Sequence, residues 1–562
     1  MRIRLVLWLA AVSLAFLVCL GLEAATPLFT DITKAAGISF VHNNGAAGRR
    51  FYPETMGSGT LVLDVDADGW QDLLFVNGTR FKGEGGLPGF SALYRNKGDG
   101  TFTNITAGSG LDVELYGMGG AAGDYDNDGR VDVYLTAYGG GRLFRNLGGG
   151  KFADVTVRAR ATDSGWSTSA MWFDYDRDGF LDLLVARYLE WDPQHNVECS
   201  ITGSDRSFCP PTSYRGVGPQ LFRNRQNGTF INVTAAAGLE ESNSKNLGVA
   251  MLDFDGDGWL DAFIASDGTP NRLHRNNRNG TFTDVASAGG VATTPSGQAR
   301  AGMGVDAADF DGSGRPGIIV GNFSEETMAV YRNEGGGLFV DEASRSAVGR
   351  ESRLSLTFGL FFFDADLDGL LDIFAANGHI SDTFPPGMTG ITYAQRPHLF
   401  RNLGARRFEE TITTAGPGLA RAIVGRGAAY ADFDNDGDLD LVITENHGPA
   451  RLFRNELDGG AHALRVKLIG TTANRDAIGA RVSLTRADGT TAWALVKTGS
   501  TYLSQSELPL TFGLGSATTV RGVTITWPAG KTEALGAVAV DQTITIREGM
   551  GIVARVPLNR RR

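Results

Sequence analysis

Cysteine is scarce. Three occur in 562 residues, at positions 19, 199 and 209. Cys19 falls in an N-terminal apolar run, which leaves one close pair in the rest of the chain. Behind an export signal such a pair suggests a single disulfide, with two free thiols as the alternative. Positive charge is also short: 52 Lys and Arg stand against 63 Asp and Glu, a net charge of −11. Phosphate-binding surfaces carry basic stripes, so no nucleic-acid partner is expected. The 77 glycines follow no Gly-X-Y period, which excludes a collagen-like rod and assigns them to turns. No Gly-x-Ser-x-Gly elbow, His-Glu-x-x-His, Cys-x-x-Cys-His or phosphate loop occurs. No catalytic residue is therefore assigned.

What the chain has is a nine-residue stretch that recurs. Positions 1, 3, 5 and 9 are aspartate and position 6 is glycine. The copies are Asp64, Asp66, Asp68 and Asp72; Asp124, Asp126, Asp128 and Asp132; Asp174, Asp176, Asp178 and Asp182; Asp253, Asp255, Asp257 and Asp261; Asp364, Asp366, Asp368 and Asp372; and Asp432, Asp434, Asp436 and Asp440. A worn copy keeps Asp309 and Asp311 but has Ser313 and Gly317 at positions 5 and 9. Alternate carboxylates converge when glycine turns the chain at position 6. Position 7 then offers its carbonyl: Trp70, Arg130, Phe180, Trp259, Leu370 and Asp438. Such an all-oxygen cage suits calcium, which takes six to eight oxygens in a flexible geometry. About six calcium sites are expected, with the worn loop (Asp309, Asp311, Ser313) weak or empty. An EF-hand is excluded, because position 12, counted from Asp64 as position 1, is Phe75 rather than Glu.

Each loop lies between short runs rich in β-branched and aromatic residues, which read as strands. A third run ends in Arg-Asn, as at 93–96 and 143–146, and a fourth follows a tight turn. Four short strands per unit predict a seven-bladed β-propeller over 27–457 in an all-β chain. Leu28-Phe29-Thr30-Asp31 is a fourth strand with no third before it, and Leu452-Phe453-Arg454-Asn455 a third with no fourth after it. Together they would close the ring and remove two open edges; an open solenoid is the alternative. From about 461 to 548 the aspartate loops stop and a small β-sandwich-like domain is expected, then a basic tail at 549–562.

The loops and their Gly-rich approaches resemble FG-GAP or VCBS repeats, as in the head propeller of integrin α-subunits. Asn474 to Arg481, Phe512-Gly513-Leu514-Gly515 and Trp527-Pro528-Ala529-Gly530 resemble the ASPIC/UnbV module. With the stretches at 54–59 and 377–380 and the paired-cysteine insertion, the whole is similar to bacterial members of the cartilage acidic protein family. The resemblance implies a calcium-binding, secreted or surface protein and brings no catalytic residues.

Residues 1–25 follow the plan of a secretory signal peptide: Arg2 and Arg4, an apolar run, then Ala24 and Ala25. An uncleaved anchor is the alternative; bulky Val18 argues against a lipoprotein signal at Cys19. The mature chain is thus expected without a stable membrane span, in a secreted, periplasmic or cell-surface location. The expected function is protein or glycan binding, as in adhesion. The alternative is a calcium-dependent polysaccharide lyase or hydrolase working in the propeller mouth, with Glu54, His379 and His447 as candidate bases.

Overall fold

The computed structural model describes residues 28–201, 203, 206–385, 388–457 and 460–560. The proposed signal segment and Cys19 lie outside the described residues. Blade 1 consists of Thr60–Leu63, Asp72–Phe75, Ala92–Asn96 and Phe102–Asn104, each strand antiparallel to the next. The same order repeats in five further four-stranded sheets, and each aspartate loop joins the first strand of its blade to the second. The fold is therefore an all-β propeller of seven blades. The seventh combines Gly425–Ala431, Asp440–Glu445 and Arg451–Asn455 with Phe29–Asp31, Phe29 lying opposite Asn455. The half-blades at the two ends of the array thus complete each other, as expected from the sequence.

Cores form between blades rather than within them. Val62 and Phe75 of blade 1 pack with Ala429, Val442 and Leu452 of blade 7, so the ring closes through side chains as well as backbone. Phe29, 1% exposed, packs with Phe361, Leu441 and Phe453. Phe29→Ala is expected to cost about 3–5 kcal/mol, the usual range for deleting a buried aromatic ring. Urea denaturation checks this; an unchanged midpoint would deny the closing strand its role.

The C-terminal module has two sheets. One orders Leu510–Gly515, His462–Ile469, Gln542–Arg547 and Gly551–Pro557; the other orders Thr491–Leu495, Arg481–Arg486, Thr519–Thr526 and Thr532–Leu535. Here the structure corrects the expected tail. Gly551–Pro557 is an edge strand on Gln542–Arg547, and the Asn559 N–H donates to the Asn435 carbonyl at 2.7 Å. Most of that strand is exposed, so its sequence carries no alternation of buried and exposed residues to betray it.

The first strands of neighbouring blades touch around the whole axis. An innermost strand has one edge with no partner inside its own sheet, and those backbone groups need satisfying. Residues 498–507 of the module do this from inside the channel. The Val62 N–H donates to the Gln505 carbonyl, and the Gln505 N–H to the Thr60 carbonyl, both at 3.0 Å. The Gln505 side chain pairs both ways with the backbone of Ala122, and Thr498 with that of Trp172. Thr501 Oγ1 donates to the Ala428 carbonyl, while the Val305 N–H donates to the Thr501 carbonyl. At the far end Tyr502 Oη donates to the Met56 carbonyl. A Cβ at Gly59 or Gly119 would come within 2.0 or 2.1 Å of the Leu503 carbonyl oxygen, so both positions require glycine. The axial space is taken by the chain's own residues.

Candidate metal centres

Each aspartate loop is turned twice. Position 6 has positive φ in all seven, from 82° at Gly314 to 96° at Gly437, and so does position 4, which is not always glycine: Ala67, Asn127, Arg177, Leu367 and Asn435 lie at 56–61°. The double turn aims backbone N–H groups at the first carboxylate. Asp64 accepts from Asp68 and Gly69 at 3.0 and 3.1 Å, Asp174 from Asp178 and Gly179 at 3.0 Å each. The ninth carboxylate accepts from its own loop and from the third strand: Asp72 takes the Val65 N–H at 2.8 Å and the Asn96 N–H at 2.7 Å. In blades 1, 2, 3, 4 and 6 one oxygen from each of positions 1, 3 and 9 lies within 4.8 Å of the others. These clusters could hold metal ions.

Two observations test the fit. The Oδ1 atoms of Asp66, Asp126 and Asp176, all at position 3, are buried without a hydrogen-bond partner among the described residues. Burial, reinforced by neighbouring aspartates, pushes Asp72 up to about 7 and Asp132 up to about 9. Buried carboxylates held together without enough donors fit a cation. Position 5 also pairs with arginine through one oxygen: Asp128 Oδ2 with Arg130 and Arg145, and Asp257 Oδ2 with Arg278. In the worn loop a Cβ at Gly317 would meet the Phe310 ring at 2.4 Å, so the ninth carboxylate has no room.

The Arg-Asn strands prove to be part of the site. The asparagine amide donates across the blade boundary to the position 2 carbonyl of the preceding loop: Asn96 to Phe433, Asn146 to Val65, Asn224 to Tyr125, Asn276 to Tyr175, Asn333 to Phe254, Asn402 to Phe310 and Asn455 to Ala365. These seven bonds of 2.8–2.9 Å run once round the ring. The arginine steadies position 3, with Arg145 on Asp126 and Arg223 on Asp176 at 2.6 Å. The recurrence of the motif was visible in the sequence, but nothing local signalled a bond to another blade.

The model for the FG-GAP-like repeat matches residues 64–135, 124–185, 212–264, 253–320 and 309–375, together more than half of the chain. This chain belongs to the FG-GAP-like repeat family. The ASPIC and UnbV model matches residues 470–553 of the same FG-GAP chain. Cartilage acidic protein 1 of Xenopus tropicalis is 28% identical over 306 residues, 53% of this chain and 44% of that protein. The Homo sapiens protein is 29% identical over 309 residues, covering 53% and 43%. The match thus spans less than half the length of these relatives. An Agrocybe aegerita lectin specific for non-reducing terminal N-acetylglucosamine aligns with a TM-score of 0.40 at 16% identity, over 70% of this chain and 87% of that one. The BP39L lectin of Burkholderia pseudomallei aligns at 0.43 and 10%, over 72% and 97%. The propeller assignment follows from the seven sheets themselves.

The module of the FG-GAP protein covers the ring of aspartate loops. Arg465 binds Asp432 Oδ2 at 2.6 Å, Lys467 lies 3.4 Å from Asp64 Oδ2, and the Asp124 N–H donates to Asp476 at 2.6 Å. In the worn loop Trp493 Nε1 donates to Asp309 Oδ2 at 2.9 Å, and in blade 6 Arg486 reaches the Gly369 carbonyl. The other end of the channel carries an aromatic cluster. Cys199 and Cys209 form a disulfide, and Trp191 of the same insertion packs on Phe51, Phe81, Tyr138 and Trp166.

Glu54, His379 and His447 border one buried network. The Glu54 carbonyl accepts from Asn44 and Asn446, while Arg426 bonds the carbonyls of Thr55, Gly378 and His379. The His447 N–H donates to His42 Nδ1 at 3.1 Å. Burial, then neighbouring His447 and Arg426, push His42 down to about 3; burial brings His379 to about 4. An unfolded histidine gains its proton near pH 6.5. Between that value and about pH 3 the unfolded chain binds more protons than the folded one, so stability falls as pH falls. His42→Asn, which keeps an acceptor near Nδ1, is expected to flatten this decline below pH 6.5 in thermal melts taken across pH. An unchanged slope would show that His42 does not carry it.

Proposed function

We propose that this protein is a secreted or cell-surface binding module whose propeller is stabilised by calcium. The observation that carries the reading is the unpartnered position 3 oxygen, buried beside the carboxylates of positions 1 and 9. The donors are all oxygen, which favours a hard cation over metals that prefer thiolate or imidazole. Six loops keep the full aspartate set, and positions 1, 3, 5 and 9 with the carbonyl of position 7 are the proposed ligands. Bound calcium supplies positive charge that offsets the repulsion of the buried carboxylates. The disulfide supports an oxidising compartment.

Binding falls to the end of the propeller away from the module, because the loop end and the axis are occupied. There the insertion at 189–219 presents exposed polar pairs, His195 with Asp192 and Arg215 with Glu190. Long ordered loops on rigid scaffolds often carry recognition. An array of glycans and surface proteins, probed with calcium-loaded protein, tests the reading. A saturable partner is expected, lost on chelation and in the double variant His195→Ala, Arg215→Ala at unchanged melting temperature. A partner retained in both cases would place recognition elsewhere.

A further inference from the structure

A cavity of about 530 Å³ lies between the loops of blades 4, 5 and 6 and the C-terminal module. Its size falls within the roughly 300–1,000 Å³ of small-molecule sites. It opens beside the worn loop, where Asp309 faces Trp493 of the module. Most of its wall is apolar, with Phe310, Leu510 and Trp527 among the contributors.

Three guanidinium side chains also line it: Arg315, Arg481 and Arg486. Arg315 donates to the Asn333 carbonyl at 3.0 Å, Arg486 to the Gly369 carbonyl at 3.1 Å, and Arg481 stacks on the Trp493 ring at 4.0 Å. None of the three has a carboxylate within ion-pair distance among the described residues. The acidic groups on the same wall accept hydrogen bonds within their loops or from the module, although Asp309 Oδ1 and Asp364 Oδ1 have no hydrogen-bond partner among the described residues and Arg481 feels the charges of Asp253 and Asp309. Asp253 accepts from Asp257 and Gly258, Asp255 from Asp257, Asp364 from Gly369, and Asp309 from Gly314 and Trp493. Guanidinium groups bind oxyanions by paired, charge-assisted hydrogen bonds, and aromatic walls favour flat apolar bodies. Elsewhere in the ring arginines meet aspartates, as Arg145 meets Asp126. Here they meet a cavity.

We infer that this cavity binds a small organic anion, an oxyanion head on a flat apolar body, held between the worn blade and the module. Arg481 and Trp493 form its central contact. The site borders the aspartate loops that begin at Asp253, Asp309 and Asp364, but its anion contacts come from the arginines and not from the cage carboxylates.

Calorimetry on the full chain with 2-naphthoate and 2-naphthyl phosphate as probes tests this, with metal content measured on the same sample. Saturable one-to-one binding of at least one anion is expected, about tenfold weaker for neutral 2-naphthamide and for Arg481→Gln. Ala492→Trp fills the cavity from the edge strand Thr491–Leu495, and is expected to abolish binding without shifting the melting temperature. Absence of saturable binding to natively melting protein would overturn the inference. So would equal affinity for the amide, or binding that survives Ala492→Trp. A protein that holds no calcium yet binds naphthoate would keep this inference and lose the calcium reading; calcium without naphthoate would do the reverse.

Discussion

Chelation is expected to lower the melting temperature of this protein more than any single substitution in it. Six loops each gather aspartates that accept several backbone N–H groups, with the ninth carboxylate buried in every one. Without a cation each folded cage carries a charge cost that the unfolded chain avoids. At ten times Kd one site adds roughly 1.4 kcal/mol by mass action, so six independent sites add roughly 8 kcal/mol. For a chain of this size that is on the order of 5–10 °C, and more at higher calcium. The same titration should show uptake near six equivalents, with the loop at Asp309 silent. Uptake near zero, or a melting curve indifferent to chelator, would mean that the cages are held by their hydrogen bonds alone.

Arg465→Met is expected to cost as much as the loss of the Phe29 ring. Arg465 is 2% exposed and joins two buried carboxylates, Asp432 of the seventh loop and Glu507 at the end of the channel segment. Removing the cation strands both, and breaking a buried pair of this kind costs about 3–5 kcal/mol. Burial already pushes Glu507 up to about 7 with the arginine opposing it; without the arginine its pKa rises further. Lys467 near Asp64 is the contrast. Its side chain is 40% exposed at 3.4 Å, so Lys467→Met is expected to cost under about 1 kcal/mol. Urea denaturation measures both. A single transition is expected in each variant, because the module's residues 498–507 bond the inner strands of the propeller. Two separated transitions, or equal costs for the two substitutions, would show that the lobes fold independently of this contact.

Much of the fold was legible because the repeat is local. Asp64 to Asp72 is one turn, Leu93 to Asn96 one strand, and seven copies of each set the number of blades. Ring closure was readable because Phe29-Thr30-Asp31 looks like Phe282-Thr283-Asp284, a fourth strand. The candidate cages were readable because carboxylate spacing is a sequence property. The channel segment was not. Lys497 to Glu507 has no apolar period, and it is held through its backbone and through Thr498, Thr501, Ser504 and Gln505, residues that read as loop. Gly59 and Gly119 looked like strand approaches, and only the passing Leu503 backbone explains them. The ties from Asn96 to Asn455 join blades whose adjacency depends on the whole ring. The edge strand at 551–557 lacks a buried face, and sequence patterns report burial rather than pairing.

The pairing of Phe29 with Asn455 sets an order on how the molecule can be made. A chain synthesised from its amino end carries its first strand unpartnered until the last blade exists. Contacts so distant in sequence form slowly, because a long loop must close before they return any free energy. Residues 498–507 are made later still, yet they belong at the centre of the circle. The outermost strand and the axle therefore both wait for the final fifth of the chain. A truncation that spares all seven blades would still leave a wheel without its hub.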